Sequence, residues 1–451
     1  MQEKFEKLFY EFVPQETHWG DWILSPQAYF RGDTDMPGAG INLGFQVFLK
    51  PVRLETEPHF HREDEYLVFL GAQLPDVFSA WDAEVHFYMG PTYDTMEKVV
   101  ITEPTIIHLP KGWWHSPLDF VRIDKPVLFQ AVMQSGRCGL VKYVQRKDTG
   151  EKQYLYMGDE NIRSCVLDPS KKCTYCGYCF SHRDKIPPRP YDFVPWTVVN
   201  EDGVKLYSDT GAYDPEKAPD SAECVVTEGY KSKPYSDATV LKAPKPALSD
   251  EVAKNVLACP KEKTQWGPWC PSPQFYFRGE TYMEGATWHC GYQIFTGPND
   301  MEDCHFHQGA EEYIFFMGAN PMDIFDFDAE VEMTIGDDPD HMESKIITKP
   351  TVVRLPANVW HCPIKFRNVK KPLLFQAAFM DGTWGTITRS RIQLTDEQKA
   401  KMPFAREHTY NYMGDNVRFC RYNPKKRCNI CGKCFSQMRR PEGKPEEKKE
   451  D

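Results

Sequence analysis

Two copies of one long segment make up much of this chain, and they follow each other at a nearly constant spacing. The first copy begins HWGDWILSPQAYFRG and the second begins TQWGPWCPSPQFYFRG. The same 246 residues separate His59 from His305 and His115 from His361. A duplication of this length predicts two domains with one fold, for which a chain of 451 residues has room.

Each copy carries three histidines and one glutamate in a fixed order. The first copy reads HFHREDEY and later PKGWWH, and the second reads HFHQGAEEY and later PANVWH. Imidazoles and carboxylates are the donors that a divalent transition metal prefers. In a strand the two histidines of His-x-His face the same side. Four ligands leave about two positions of an octahedral site open, which favours a catalytic metal. The candidate ligands are His59, His61, Glu65, His115, His305, His307, Glu312 and His361.

This motif pair resembles the paired signature of the cupin superfamily, and two such units resemble a bicupin. The resemblance implies a jelly-roll β-barrel in each copy. The second copy departs from the pattern because Asn358 stands where a glycine is usual. It also has one extra residue after His307, so Glu311 is an alternative ligand. Glu312 is favoured because EYIFFMG then aligns with EYLVFLG after Glu65.

The rest of each copy is typical of an all-β domain. Short runs rich in Val, Ile, Phe and Tyr are broken by Gly, Pro and Asp, and no long helical pattern interrupts them. We therefore expect two tandem cupin-type jelly-roll β-barrels with a long irregular connector. Short helices are predicted in MQEKFEKLFYEF and in SDEVAKNVLA. The predicted divisions are an N-terminal barrel with a four-cysteine motif at 1–185, a connector at 186–255, a C-terminal barrel with a second such motif at 256–440, and a disordered charged tail at 441–451.

Polar residues on the predicted strands supply candidate catalytic groups. Four glutamines recur as pairs at the repeat spacing and are predicted to line the barrel interiors. Two histidines mark differences between the copies, since His108 aligns with Arg354 and His289 aligns with Asn42. Tyrosines and arginines also recur, at 66 and 313 and at 31 and 278. The candidate catalytic residues are Gln46, Gln130, Gln293, Gln376, His108 and His289.

Eight of the fifteen cysteines form two matched tetrads with the spacing C-x7-C-x2-C-x2-C. Thiolates so close in sequence repel one another unless a cation gathers them, which predicts a metal. A set of four cysteines fits structural zinc, while CxxCGxC also resembles the wrap around a [4Fe–4S] cluster. Disulfides are disfavoured because cytosolic bridges are rare. The tetrads are Cys165, Cys173, Cys176, Cys179 and Cys420, Cys428, Cys431, Cys434.

Composition narrows the class of partner. The net charge of −11 and the pI near 5.7 disfavour a nucleic-acid partner. No run of 18 apolar residues and no signal-peptide pattern occur, so a cytoplasmic protein without a membrane partner is expected. The resemblance to bicupins also allows a homodimer. The expected partner is an anionic or chelating small molecule.

Three functions are compatible with these features. The leading hypothesis is a metal-dependent enzyme for a small enolisable carbonyl compound such as a β-diketone, a β-keto acid or a hydroxy-keto acid. It would use Mn, Fe or Zn and catalyse oxygen-independent hydrolysis, ring opening, C–C cleavage or isomerisation. A non-haem Fe(II) dioxygenase is the first alternative, because the same ligands resemble those of cupin dioxygenases. A non-catalytic small-molecule sensor is the second.

Overall fold

A computed structural model describes two long stretches of the chain, 1–146 and 247–391, and three strands outside them. The short gaps fall at 17–20, 56–57, 62, 74–75, 77–79, 138, 263–268, 272, 302–303, 308 and 384. The eight tetrad cysteines, most of the predicted connector and the predicted tail lie outside the described residues. So do the domain boundaries at 185 and 440, and these features stay predictions.

The chain divides into two units, here called the first and second lobes. The first lobe comprises Phe12–Cys259 and Asn320–Ile324, and the second comprises Met1–Glu11, Pro260–Ala319 and Phe325–Asp451. Among the described residues no helix combines the length and the apolar character needed to cross a membrane.

The first lobe contains fourteen described strands and one helical turn. They are β2 (Ala28–Phe30), β3 (Asn42–Phe48), β4 (Val52–Glu55), β5 (His59–Phe60), β6 (Glu65–Gly71), β7 (Ala83–Gly90), β8 (Glu97–Ile101), β9 (Thr105–Leu109), β10 (Trp114–Ile123), β11 (Val127–Met133), β12 (Gly139–Arg146), β13 (Lys152–Gly158), β14 (Trp196–Thr197), α2 (Asp250–Ala253) and β15 (Val256–Ala258). Short 3-10 helices occur at Gly32–Thr34 and Tyr93–Thr95.

The second lobe repeats this order. Its elements are α1 (Glu3–Glu6), β1 (Phe9–Glu11), β16 (Lys261–Glu262), β17 (Gln274–Phe277), β18 (His289–Phe295), β19 (Asn299–Met301), β20 (His305–Phe306), β21 (Glu312–Gly318), β22 (Glu330–Gly336), β23 (Met342–Ile347), β24 (Thr351–Leu355), β25 (Trp360–Arg367), β26 (Leu373–Phe379), β27 (Gly385–Arg391) and β28 (His408–Gly414). A further 3-10 helix lies at Gly279–Thr281, and another at Pro321–Asp323 belongs to the first lobe.

Each lobe consists of two antiparallel sheets that share one apolar core. In the first lobe the sheets have the orders β15-β9-β6-β11-β3-β2 and β13-β12-β5-β10-β7-β8. Alternate side chains of both sheets point inward, and Phe48 stacks on Phe120 with ring centroids 3.9 Å apart. Phe295 and Phe366 repeat this contact at 3.9 Å in the second lobe. The predicted all-β fold class, with one two-sheet domain for each of the two tandem repeats, is confirmed.

The segment that precedes each repeat adds a strand to the lobe of the other repeat. Strand β1 pairs with β24 of the second lobe, and Phe5 lies in that lobe's core with 3% exposure. Strand β15 pairs with β9 of the first lobe, and Val252 lies in the first-lobe core. Both predicted helices are a single turn followed by a strand. The reason is tertiary, because each strand satisfies the backbone groups along an open sheet edge.

Candidate metal centres

The three histidines of each repeat converge inside their lobe, on the inner face of one sheet. His59 and His61 come from the β5 segment, and His115 lies directly opposite His59 on β10. Their ligand atoms lie within 4.8 Å of one another, and all three side chains are buried. The second lobe repeats the arrangement with His305, His307 and His361. In both lobes the first and third rings lie 4.3 Å apart between centroids.

Backbone carbonyls determine how the rings are oriented. The Nδ1 atom of His61 lies 2.5 Å from the carbonyl oxygen of Gly139, and that of His307 lies 2.6 Å from the oxygen of Gly385. A carbonyl accepts only, so Nδ1 must carry the proton and Nε2 is left with its lone pair. His115 makes the same type of contact with Trp113 at 3.1 Å. The Nε2 atoms of these histidines therefore face the glutamate oxygen of their lobe, as a shared metal ion requires.

The glutamate of each lobe joins the cluster from the facing sheet. The Oε2 atom of Glu65 lies 3.4 Å from Nε2 of both His61 and His115. In the second lobe Oε2 of Glu312 lies 3.1 Å from Nε2 of His307 and 3.3 Å from Nε2 of His361.

The structure also separates Glu312 from its neighbour Glu311. The carboxylate of Glu311 accepts hydrogen bonds from Tyr313 at 2.7 Å and from Nε of Arg354 at 3.1 Å. It is therefore held away from the histidines. The extra residue of this loop is accommodated beside Gly309, whose φ of +76° is open to glycine at little cost.

The unusual Asn358 adopts the same backbone conformation as the glycine that it replaces. Gly112 has a φ of +81° and Asn358 a φ of +69°. Asparagine is among the residues that tolerate this left-handed region best. The amide of Gly112 donates to the carbonyl of His61 at 2.8 Å, and that of Asn358 donates to the carbonyl of His307 at 2.9 Å. The turn thus joins the two motifs equally in both lobes.

A break in strand register follows each last histidine. Pairing between β10 and β7 shifts between His115 and Leu118. The residues after the histidines, Ser116 and Cys362, have φ values of +79° and +69°. An irregularity of this kind re-aims the neighbouring side chain, which fits the inward direction of both histidines.

Burial controls the charge of the clusters. Burial, together with the neighbouring His59 and His61, holds the pKa of His115 well below its ordinary value. Burial alone would raise the pKa of Glu312, but His307 and His361 hold it below its ordinary range. Neutral imidazole and ionised carboxylate are the forms that bind metal. Three imidazole nitrogens and one carboxylate oxygen around one point fit a divalent transition ion, so the residues present suit the predicted cofactor.

His289 lies beside the second cluster. It occupies one cross-strand row with Phe379 and Glu312, through the pairings of β18 with β26 and of β26 with β21. Burial, and next the charge of Arg278, lower the pKa of His289 to about 3. The same row of the first lobe contains Asn42, Met133 and Glu65.

The predicted glutamines divide into two groups. Gln46 and Gln293 lie on the inner faces of their sheets, because their cross-strand partners Phe129 and Phe375 belong to the apolar cores. Gln46 donates to the Tyr29 hydroxyl at 2.6 Å. Gln46 lies four residues after Asn42 and Gln293 four residues after His289, so neither glutamine is in the cross-strand row of the glutamate.

Gln130, Gln376 and His108 are not brought to the clusters. Each follows or precedes an inward core residue, so strand alternation puts it on the opposite face of its sheet. Gln376 donates to the Tyr292 hydroxyl at 3.0 Å, and His108 stacks on Tyr66 with centroids 4.6 Å apart. Repeat alignment finds residues with equal positions but does not tell which face of the sheet they occupy.

Sequence reasoning missed two kinds of residue near the histidines. Gly139 and Gly385 act through their carbonyls, which side-chain patterns do not reveal, although their common repeat position was a usable signal. Thr388 lies directly opposite His305, while Lys142 is paired with His59. These two positions differ between the repeats, so the comparison of copies did not single them out.

Comparisons with known proteins give likenesses to solved structures alone. No family model and no curated protein matches the sequence. A two-residue deletion mutant of Bacillus subtilis oxalate decarboxylase OxdC is 11% identical over 79% of this chain and 72% of that chain, with a TM-score of 0.43. The structure of Bacillus subtilis oxalate decarboxylase at pH 4.6 is 12% identical over 79% of this chain and 72% of that chain, with a TM-score of 0.43. A mutant of the same decarboxylase, with SENS at 161–164 replaced by DSSN, is 11% identical over 84% of this chain and 80% of that chain, with a TM-score of 0.45. Likeness at this level supports no assignment of activity.

We expect His61→Ala and His307→Ala each to remove about one metal ion per chain, because each change removes a nitrogen donor from one buried cluster. Elemental analysis of the purified full-length chain measures this. His341→Ala is the matched control, since the His341 side chain is 76% exposed and outside both clusters. Full metal content in both cluster variants would contradict the assignment.

Glu312→Gln should weaken metal binding in the second lobe by about a hundredfold or more, because it removes the anionic donor of that cluster. Glu311→Gln is the matched control and should leave metal affinity nearly unchanged. Competition with a chromophoric chelator, carried out in the His61→Ala background, isolates the second lobe. A larger loss in Glu311→Gln than in Glu312→Gln would reverse the ligand assignment.

Proposed function

We propose that this protein is a metal-dependent enzyme of the cupin type that acts on a small enolisable carbonyl compound. The observation that supports this proposal is the convergence, in both lobes, of three histidine ring nitrogens and one carboxylate oxygen. The metal ligands are His59, His61, Glu65, His115, His305, His307, Glu312 and His361.

The donor set determines which ligands suit the site. Neutral imidazoles and one carboxylate leave a divalent ion with a net charge near +1, which favours an anionic chelator such as an enolate. A bound divalent ion would polarise a carbonyl group and lower the pKa of a coordinated water. The protein's own part is to orient the ligand and to exclude bulk water, for which the apolar cores around each cluster are suited.

The reaction class that fits best is oxygen-independent hydrolysis, ring opening, C–C cleavage or isomerisation. Each of these proceeds through an enolate and needs no electron path. Substrates in this class are β-diketones, β-keto acids and hydroxy-keto acids. Proton transfer requires a titratable group, or a water on a bound metal, beside the substrate. His289 shares the cross-strand row of Glu312, while its counterpart Asn42 beside Glu65 can only donate or accept a hydrogen bond.

The experiment is an anaerobic turnover assay with the Mn, Fe(II) and Zn forms of the full-length protein. Acetylacetone, oxaloacetate and a hydroxy-keto acid serve as substrates, with ultraviolet absorbance of the enolate as the signal. We expect turnover without oxygen, and its loss in a His61→Ala/His307→Ala double variant but not in His341→Ala. Turnover that requires both Fe(II) and oxygen would replace this proposal with the dioxygenase. Binding without any turnover would favour the sensor.

For the cysteine tetrads we propose a structural metal in each repeat. The support is their sequence spacing, since thiolates at C-x7-C-x2-C-x2-C need a cation between them. Anaerobically purified protein should contain about two metal ions beyond those of the histidine clusters and should be colourless if zinc is bound. Broad visible absorbance with acid-labile sulfide would identify iron–sulfur clusters instead. No metal beyond that of the histidine clusters would contradict the proposal.

A further inference from the structure

The ligand clusters of the two lobes agree closely, but the walls around them differ. Corresponding ring centroids are 5.1, 4.3 and 5.0 Å apart in both lobes. The clusters therefore give no basis for different ligands. Any difference in what the lobes bind must come from the neighbouring side chains.

The row that contains the glutamate is bulkier in the second lobe. There Phe379 and His289 stand where the first lobe has Met133 and Asn42. The Phe379 ring packs edge-on against His307 with centroids 4.7 Å apart. Two rings thus border the second cluster on this side. The corresponding side of the first cluster is bordered by the flexible Met133 and the shorter Asn42.

Exposure shows the effect of this difference further along the barrels. Gln293 and His289 point inward in the second lobe and are 1% and 8% exposed. Their counterparts Gln46 and Asn42 are both partly exposed. An inward side chain can be exposed only where space adjoins it. The inner face of the first lobe is therefore more accessible at Asn42 and Gln46 than that of the second lobe is at His289 and Gln293.

The first lobe also offers a hydrogen-bond donor in the row that contains Glu65. The Nδ2 atom of Asn42 is buried and has no hydrogen-bond partner among the described residues.

From these contrasts we infer that the first lobe binds the substrate, with the Asn42 amide donating to one of its oxygens. This inference rests on the proposed function. The ligand class is a small anionic oxygen chelator that would bind, through two donor atoms, a metal held by His59, His61, Glu65 and His115. In the second lobe His289 and Phe379 fill the equivalent space, so its metal serves structure and not turnover.

The test is a titration of the Co(II)-loaded full-length protein with acetylacetone, monitored by the visible absorption of the metal. We expect about one equivalent to bind per chain. His307→Ala should retain binding, and His61→Ala should abolish it. These two variants assign the lobe without reference to activity.

A reciprocal exchange of wall residues then tests the cause. Asn42→His/Met133→Phe should weaken acetylacetone binding by about tenfold or more, because it fills the space and removes one hydrogen bond to an anion. The matched exchange His289→Asn/Phe379→Met should open the second lobe and give a second binding event. Both double variants should keep full cobalt content, which serves as the folding control.

The outcomes separate this inference from the proposed function. Binding that is lost in His307→Ala and retained in His61→Ala would overturn the inference and leave the proposed function standing. Unchanged affinity in Asn42→His/Met133→Phe would do the same. If neither cobalt-loaded lobe binds acetylacetone, the proposed function itself is contradicted and the inference with it.

Discussion

The hydrogen bonds from His61 to the Gly139 carbonyl and from His307 to the Gly385 carbonyl are the interactions on which each site depends. They join the short strand of the His-x-His motif to the strand beside it and fix the protonated nitrogen of the ring. Without such a partner a buried imidazole could rotate, and its lone pair would have no defined direction. The turns at Gly112 and Asn358 add a second tie to the same segments. The positions of backbone carbonyls in the sheets thus determine which nitrogen of His61 and His307 can bind a metal.

A buried cluster of ionisable groups is costly in an apolar core, and each lobe contains one. Glu65 and Glu312 are 6% and 7% exposed, so each carboxylate must be balanced by a nearby positive charge. A divalent ion would supply that balance and at the same time draw four side chains from two sheets together. Ion binding and the docking of the facing sheets are therefore expected to be coupled. The apolar contacts of Phe48 and Phe295 lie in the same cores and stabilise the sheets independently of the ion.

The sequence alone was sufficient for the fold class and for the members of both clusters, because each ligand recurs at a fixed spacing within a repeat. It was also sufficient to choose Glu312 over Glu311, since the alignment of the following strand determines which carboxylate faces inward. It could not place Gln130, Gln376 and His108, because a repeat match carries no information about the face of a sheet. It predicted the short helix in each leading segment but not the strand that follows it, because that strand forms by pairing with a distant sheet edge. The differences between lobes at Asn42 and His289 were visible, but their effect on free space depends on packing.

The segments that precede the two repeats determine when each lobe can be completed during synthesis, because each segment pairs with the lobe of the other repeat. During translation the first lobe cannot gain its edge strand β15 until the ribosome has passed residue 258. Residues 1–11 must in turn wait for β24, more than three hundred positions later. Separate expression of the two repeats, cut between them, would leave each half carrying the strand that belongs to the other. The duplication is thus symmetrical in sequence, while completion of either lobe requires chain from both copies.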